Sequence, residues 1–325
     1  MNPTILLLGR TGQVGSELAC LLPQFGKVIA PDRADLDLSK TADIRKTIEH
    51  VRPRFIVNAA AYTAVDQAEK DEATARLINS EAPATMAEEA RKLGATLIHY
   101  STDYVFDGRK TSPYEECDTP NPLNVYGKTK LAGEHAIRMS GASHLILRTS
   151  WVYATRGRNF LFTVLRLATQ RDELKVVRDQ IGAPTWSREI AKATVGVLGR
   201  VIEMTRENSP PSTGLSGTFH MTASGLTSWY DFANAILEEA TQAPASPWLT
   251  SATTGLPSRL PRVLPITTEE YPTPAQRPAY SVLSNVLLGK TFGVVLPDWR
   301  VQLHEAFLDT TCKRFTVGSP VNPLR

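Results

Sequence analysis

Apolar residues in the first half of the chain gather into short runs rich in Ile, Leu and Val: "TILLLG", "KVIAP", "FIVNAAA", "TLIHYS" and "HLILRT". Continuous apolar runs of this length, bounded by glycine or polar residues, predict strands buried on both faces, as in a parallel sheet. Between them the period changes. "TADIRKTIEHV" and "PATMAEEARKLG" place apolar residues three and four apart, which predicts helices with one buried face, and Gly94 stands where the second helix would be capped. Regular alternation of strand and helix predicts a doubly wound parallel sheet, with "LKVVRD" as its sixth strand. After about residue 150 prolines concentrate, notably in "NSPPSTG" and "LPSRLPRVLPITTEEYPTPAQRP", and a last helix is predicted near "DWRVQLHEAFLDTT".

Composition narrows the class. The chain has 325 residues, 42% of them hydrophobic, enough for two cores. The 36 basic and 33 acidic residues are scattered and leave a net charge of +3, so no basic stripe offers itself to a nucleic-acid backbone. Cys20, Cys117 and Cys312 are too far apart for a zinc knuckle or a CxxC pair, and an odd count fits a reducing compartment, so a cytoplasmic protein is expected. No apolar run reaches bilayer length and "MNPTILLLGR" lacks the features of a signal peptide, so no membrane partner is expected.

The first strand runs into "GRTGQVGSEL", where Gly9, Gly12 and Gly15 follow a GxxGxxG spacing. Glycines between a strand and a helix permit a tight turn, a close approach of backbone to a diphosphate, and close packing of the helix, whose free amides face the anion. A phosphate loop of the nucleoside triphosphatase type is excluded, since no lysine follows Gly15. The chain is therefore expected to form a Rossmann-type dinucleotide-binding domain over residues 1–150, to which later segments return, and a smaller, mostly C-terminal substrate-binding domain over residues 151–325. At the tip of the second strand, about 20 residues after Gly12, lies Asp32. An acid there accepts from the adenosine ribose of NAD, whereas Arg33 beside it or Arg10 in the glycine loop can pair with the 2′-phosphate of NADP. NADPH is expected, with NADH tolerated. Asp37 and Leu38 stand where adenine would lie, or cap the next helix.

Ala59, Ala60 and Ala61 keep the third strand's tip flat enough for a cofactor, and the next tip carries Thr102 and Asp103. Tyr126 and Lys130 follow in "YGKTK", and residues four apart share a helical face. Alone, such a pair fits any surface helix. With a cofactor cradle and a strand-tip hydroxyl it matches what ketone reduction needs: a phenol to donate a proton, an ammonium to draw its pKa down, and a hydroxyl for the developing alkoxide.

This set resembles the extended short-chain dehydrogenase/reductase family, and "GRTGQVG", "IVNAAAYTAVDQAE", "IHYSTDYVFDG", "PLNVYGKTKLAGE", "RTSWVYA", "QIGAPT", "YPTPAQRP" and "LPDWR" keep its order over nearly the whole chain. The resemblance implies NAD(P)H-dependent reduction of the 4-keto group of dTDP-4-dehydro-L-rhamnose to dTDP-L-rhamnose, a nucleotide-sugar reaction. It implies a triad of Thr102, Tyr126 and Lys130, and a cofactor lined by Gly12, Gln13, Val14, Asp37, Leu38 and Ala59 to Tyr62. Thr63, Asp103 and Trp151 would face the sugar, with Asn159, Pro184 and Thr185 shaping the pocket. Some relatives form a homodimer bridged by magnesium, here through Glu17 and acids after "GAPT"; Arg188 and Lys192 beside Glu189 oppose a cation there, so no metal site is expected. Two other readings share the fold. A sugar-nucleotide epimerase or dehydratase would carry the Tyr-Lys pair, but dehydratases have further acid after the strand-tip threonine, where Asp103 is followed by Tyr104. A non-catalytic regulatory subunit would have no use for Tyr126 and Lys130 together.

Overall fold

The computed structural model describes residues 3–206, 216–242 and 260–309, so "NSPPSTG", the first residues of the long proline-rich stretch and Cys312 lie outside the described residues. The strands are β1 (Thr4–Leu8), β2 (Lys27–Ile29), β3 (Phe55–Asn58), β4 (Thr96–Thr102), β5 (Ser143–Thr149), β6 (Val152–Tyr153), β7 (Glu173–Val177), β8 (Ile181–Gly182), β9 (Thr185–Trp186), β10 (Gly217–His220), β11 (Thr227–Ser228) and β12 (Arg262–Ile266). The helices are α1 (Gln13–Leu21), α2 (Thr41–Val51), α3 (Val65–Ala68), α4 (Glu72–Arg76), α5 (Ala82–Leu93), α6 (Val125–Met139), α7 (Phe160–Ala168), α8 (Ser187–Arg206) and α9 (Trp229–Gln242), with two more at Val286–Phe292 and Trp299–Leu308.

Among the described residues the main sheet has six parallel strands in the order β10-β5-β4-β3-β1-β2. The apolar runs supply five of them. The sixth differs from expectation: "LKVVRD" contributes to β7, which pairs instead with β12 in a separate two-stranded sheet, while "GTFH" forms β10 beside β5. The reason is visible in the side chains. Glu173 and Lys175 are exposed around buried Leu174, the alternation of a strand wetted on one face, which a sheet covered on both faces cannot accommodate.

Successive residues of a strand point to opposite faces, so each strand feeds two cores. Ile5, Leu7, Val57, Ile98 and Leu147 meet Leu18 of α1 and Leu22 just after it, together with Ile190, Val197 and Leu198 of α8. Leu6, Leu8, Ile56, Leu97 and Ile146 meet Ile44 and Ile48 of α2, Met86 of α5 and Ile137 of α6. Each such side chain contributes about 1.5–3 kcal/mol on burial, so α8 is drawn back across the sheet although it lies far along the chain. A third core joins Leu161 and Leu165 of α7, Phe232 and Ile236 of α9, Trp186, Leu303 and Phe307.

Candidate active site

The carboxyl ends of β1, β3 and β4 lie side by side, where an open α/β sheet binds its ligands. At the end of β1 the chain turns on Gly9 at φ +84°, and a Cβ on Gly15 would sit 2.0 Å from the Gly9 carbonyl oxygen, so α1 can press onto the turn only through glycine. Gly12 is the N-cap of α1 and makes no side-chain bond, so Gln13 and Val14 follow at a bare helix start. That surface fits a dinucleotide diphosphate, which needs backbone amides at a helix N-terminus and no side chain in the way. The side chain of Gln13 accepts from Asn159 at 3.2 Å, while Val14 packs on the core below.

Toward the adenosine end, the Arg10 guanidinium meets Asp32 at 3.0 Å in the open, and the same carboxylate accepts from the Ala34 and Asp35 amides. The Arg10 bond and these amides hold the Asp32 pKa below the usual range. Two residues expected to compete for the cofactor thus pair with one another, leaving the exposed Arg33 beside them. Asp37 is bonded to Ser39, and Leu38 packs against the α2 core.

At the β3 tip, Asn58 accepts from the Ala60 amide at 3.1 Å, and the Ala59 amide donates to Leu8. Tyr62 is clasped by Asn79, which accepts from its amide at 2.8 Å, donates to its carbonyl at 3.1 Å and reaches Thr129 of α6 at 3.2 Å. Ala61 lies half-buried between them and Thr63 is exposed.

Thr102 ends β4 with its side chain 5% exposed. Its hydroxyl accepts from the Tyr104 amide at 3.1 Å and donates to Asp103 at 3.0 Å, so it caps the turn as well as facing Tyr126. Burial pushes the Asp103 carboxyl up to about 7, against the opposing hydroxyls of Ser281 and Thr102. Tyr126 opens α6, and the Tyr104 ring meets it edge-on at 5.6 Å. Burial drives its phenol up to about 12, with the Thr102 hydroxyl opposing and the Asp103 charge adding to the rise. The sequence pattern had Lys130 drawing that phenol down. Instead Lys130 is 1% exposed, and its Nζ turns into the sheet, donating to the Tyr100 carbonyl at 2.6 Å and lying 3.1 Å from His99 Nε2. Burial pushes Lys130 itself down to about 8 although Glu134 favours its charge.

The start of α6 is held from a distance. Asn124 accepts from the Gly127 amide at 2.8 Å and donates to the Gln276 carbonyl at 2.7 Å. Arg277 grips Asp66 through both nitrogens at 3.1 and 2.7 Å, and its charge and hydrogen bond also reach Tyr104. The proline-rich "TPAQRP" thereby fastens the two tyrosines. Asn124 carries the usual mark of an N-cap in the sequence; Asn58, Asn79, His99 and Arg277 act through contacts that no local pattern reveals.

Residues expected around the sugar divide. Trp151 sits at φ +45° and stacks on Trp229 with ring centres 3.6 Å apart and planes 5° off parallel. Asn159 caps α7, and its amide is occupied by Phe162, Gln13, Ala154 and Arg156, beneath the glycine turn. Thr185 is fully buried in β9, its hydroxyl bonded to Ala183 and the Ala223 amide, and Pro184 is buried beside it. The side-chain polar atoms of Asn159 and Thr185 are thus already bonded within the protein. Glu17 is paired with Arg188 at 3.0 Å, and Arg188 also holds Asp309 at 2.6 Å.

A family model described as the RmlD substrate binding domain matches residues 2–312. Among curated proteins, dTDP-4-dehydrorhamnose reductase from Burkholderia thailandensis is 46% identical over 91% of this chain and 95% of its own length. The Escherichia coli K12 protein of the same name is 44% identical over 94% and 99%. Among solved structures, a dTDP-4-dehydrorhamnose reductase from Bacillus anthracis in complex with NADP superposes with a TM-score of 0.79 at 32% identity, covering 95% of this chain and 99% of that one. One from Clostridium acetobutylicum gives 0.79 at 38% identity over 93% and 98%. By sequence and by fold, the chain belongs to the RmlD family.

Proposed function

We propose that this protein reduces the 4-keto group of dTDP-4-dehydro-L-rhamnose with NADPH to give dTDP-L-rhamnose. The observation that carries the reading is the meeting of Thr102 and Tyr126 at the strand ends beside a glycine turn that a Cβ would block. NADPH, when bound, supplies the hydride; Gly9, Gly12, Gln13 and Val14 would hold its diphosphate, and Ala59 to Tyr62 its nicotinamide half. Tyr126 donates the proton to the oxygen at C4, and a phenol pushed up to about 12 remains fully protonated at neutral pH for that task. The Thr102 hydroxyl, rotating its proton away from Asp103, donates to the same oxygen as charge develops on it. Lys130, one helical turn after Tyr126, would have to leave the Tyr100 carbonyl and His99 to meet the cofactor ribose and offset the negative charge left on Tyr126.

Trp151 and Thr63 face the sugar, with Asn159, Pro184 and Thr185 shaping the nucleotide-sugar pocket. Asp103, whose carboxyl burial pushes up to about 7, binds a sugar hydroxyl. No described helix is long and apolar enough to cross a membrane, and we place the reaction in the cytoplasm, with a homodimer as the assembly to be tested by light scattering. Consumption of NADPH with the dTDP-keto-sugar, followed by identification of the product as dTDP-L-rhamnose, tests the assignment; oxidation of NADPH without that product, or none at all, overturns it.

A further inference from the structure

Three buried side chains lie in line behind Tyr126: Asn58 of β3, His99 of β4 and Lys130 of α6, each 1% exposed or less. Asn58 Nδ2 is 3.0 Å from His99 Nδ1, and Lys130 Nζ is 3.1 Å from His99 Nε2. The protons in this line follow from one bond at its end. The Ala60 amide donates to Asn58 at 3.1 Å, so the Asn58 atom facing it is the carbonyl oxygen and the atom facing His99 is the NH2 group. His99 Nδ1 must then accept. Burial in a fully enclosed site holds the His99 pKa far below its usual value, so the ring is neutral and its single proton sits on Nε2, pointing at Lys130. An ammonium has no lone pair to receive that proton, whereas a neutral amine accepts it and still donates to the Tyr100 carbonyl.

Resting on the reductase reading above, we propose that His99 is a positioning residue which keeps Lys130 as a neutral amine in the free enzyme, and that cofactor binding brings one proton from solvent onto Lys130. The anionic cofactor and its ribose hydroxyls favour the ammonium, and the ammonium must leave His99 to form. Lys130 thus has two arrangements, one turned to β4 and one turned to the ligand. The other charged group facing it is Glu134 on its own helix, which favours the ammonium but is already held by Arg148 of β5 at 2.7 Å, Arg138 at 3.0 Å and Ser101. From the stretch at 77–81 the side chain that reaches α6, at Thr129 beside Lys130, is Asn79, which is uncharged. Burial lowers the Lys130 pKa in the same sense.

The test uses the free full-length protein first. Nitrogen chemical shifts of the His99 ring should show Nε2 protonated and Nδ1 bare, and the Lys130 side-chain carbon should titrate well below the surface lysines. His99→Gln, whose carbonyl can accept from an ammonium, should raise the Lys130 midpoint by about one pH unit or more. A ring protonated on Nδ1, or a Lys130 midpoint that His99→Gln leaves in place, overturns the proposal whatever the enzyme reduces. Calorimetry of NADPH binding in two buffers of different ionisation heat then follows. Uptake near one proton above the Lys130 midpoint is expected, with affinity falling about tenfold per pH unit there and the fall delayed in His99→Gln. Binding without proton uptake overturns the coupling, while absence of NADPH binding would sink the reductase reading and leave the shift measurements to decide the role of His99.

Discussion

The two ends of the cofactor cleft are built differently. At the outer end, where Arg10, Asp32 and Arg33 stand, the ordering comes from one exposed ion pair and a few exposed bonds of a local turn. At the inner end, Lys130 is bonded to β4, the Tyr104 ring meets Tyr126, and the helix carrying both Tyr126 and Lys130 is held by Asn79 from the 77–81 helical stretch and by the 272–281 segment, nearly all out of water. An exposed ion pair contributes little because water competes for both partners, whereas a buried bond holds geometry and is costly to break. Steep sensitivity is therefore expected inside and shallow sensitivity outside.

The largest effect tests the inner end directly. Tyr126→Phe keeps the ring and its contact with Tyr104 but removes the proton donor, so turnover should fall by roughly 10²–10⁴-fold with NADPH affinity unchanged. Steady-state kinetics beside cofactor titration measures both, and near-normal turnover in the folded variant would show that the proton at C4 comes from a group other than Tyr126. Next in size is Asn124→Ala, which removes the α6 cap and the bond to Gln276 together. A loss of about 1–2 kcal/mol in stability is expected, with turnover lowered about tenfold. Asn124→Asp should restore the cap but not the donation to Gln276, so recovery of stability without turnover would show that the 272–281 segment positions the tyrosine.

A third effect depends on pH. Asp103 has a folded pKa raised to about 7, so the folded protein binds more protons than the unfolded chain between about 4 and 7. That group's contribution to stability is present in acid and is lost as pH rises through this window. Asp103→Asn cannot ionise, so its melting temperature relative to wild type should climb from pH 4 to pH 7 and level off above. A gap that stays constant with pH would show that the carboxyl ionises normally. The smallest effects belong outside. Arg10→Ala should change the preference for NADPH over NADH by only a few-fold, since its partner is an exposed acid; a change above about a hundredfold would erase the contrast between the two ends. Treatment with EDTA should leave activity unaltered, because Arg188 already neutralises Glu17; activity lost to the chelator and regained with magnesium would contradict that.

What could be read from the sequence follows the same division. The strands of the inner sheet announce themselves because Leu6, Leu7, Ile56 and Ile98 are each buried by helices above or below, which forces continuous apolar runs. β10 was illegible for the opposite reason: four residues with Phe219 as their one large apolar side chain carry no period. Thr102, Tyr126 and the glycine turn belong to compact motifs. The Lys130 environment does not, since the groups that turn it inward, His99 and the Tyr100 carbonyl, are some 30 positions away and meet it only once α6 has crossed β4. Asn159 and Thr185 show the converse, being polar residues in recognisable segments whose polar atoms the folded chain has already engaged.

The packing of α1 against α8 sets a timetable for biosynthesis. Leu18 and Leu22 lie under Ile190, Val197 and Leu198 in the finished protein, yet the ribosome makes the two helices far apart in time. At about 5–20 residues per second, roughly 10–30 s pass between the emergence of one and the other. Throughout that interval the cofactor-cradle helix shows an uncovered greasy side to the crowded interior of the cell. A nascent chain of this protein should therefore recruit a chaperone early, and should let it go once α8 has left the exit tunnel.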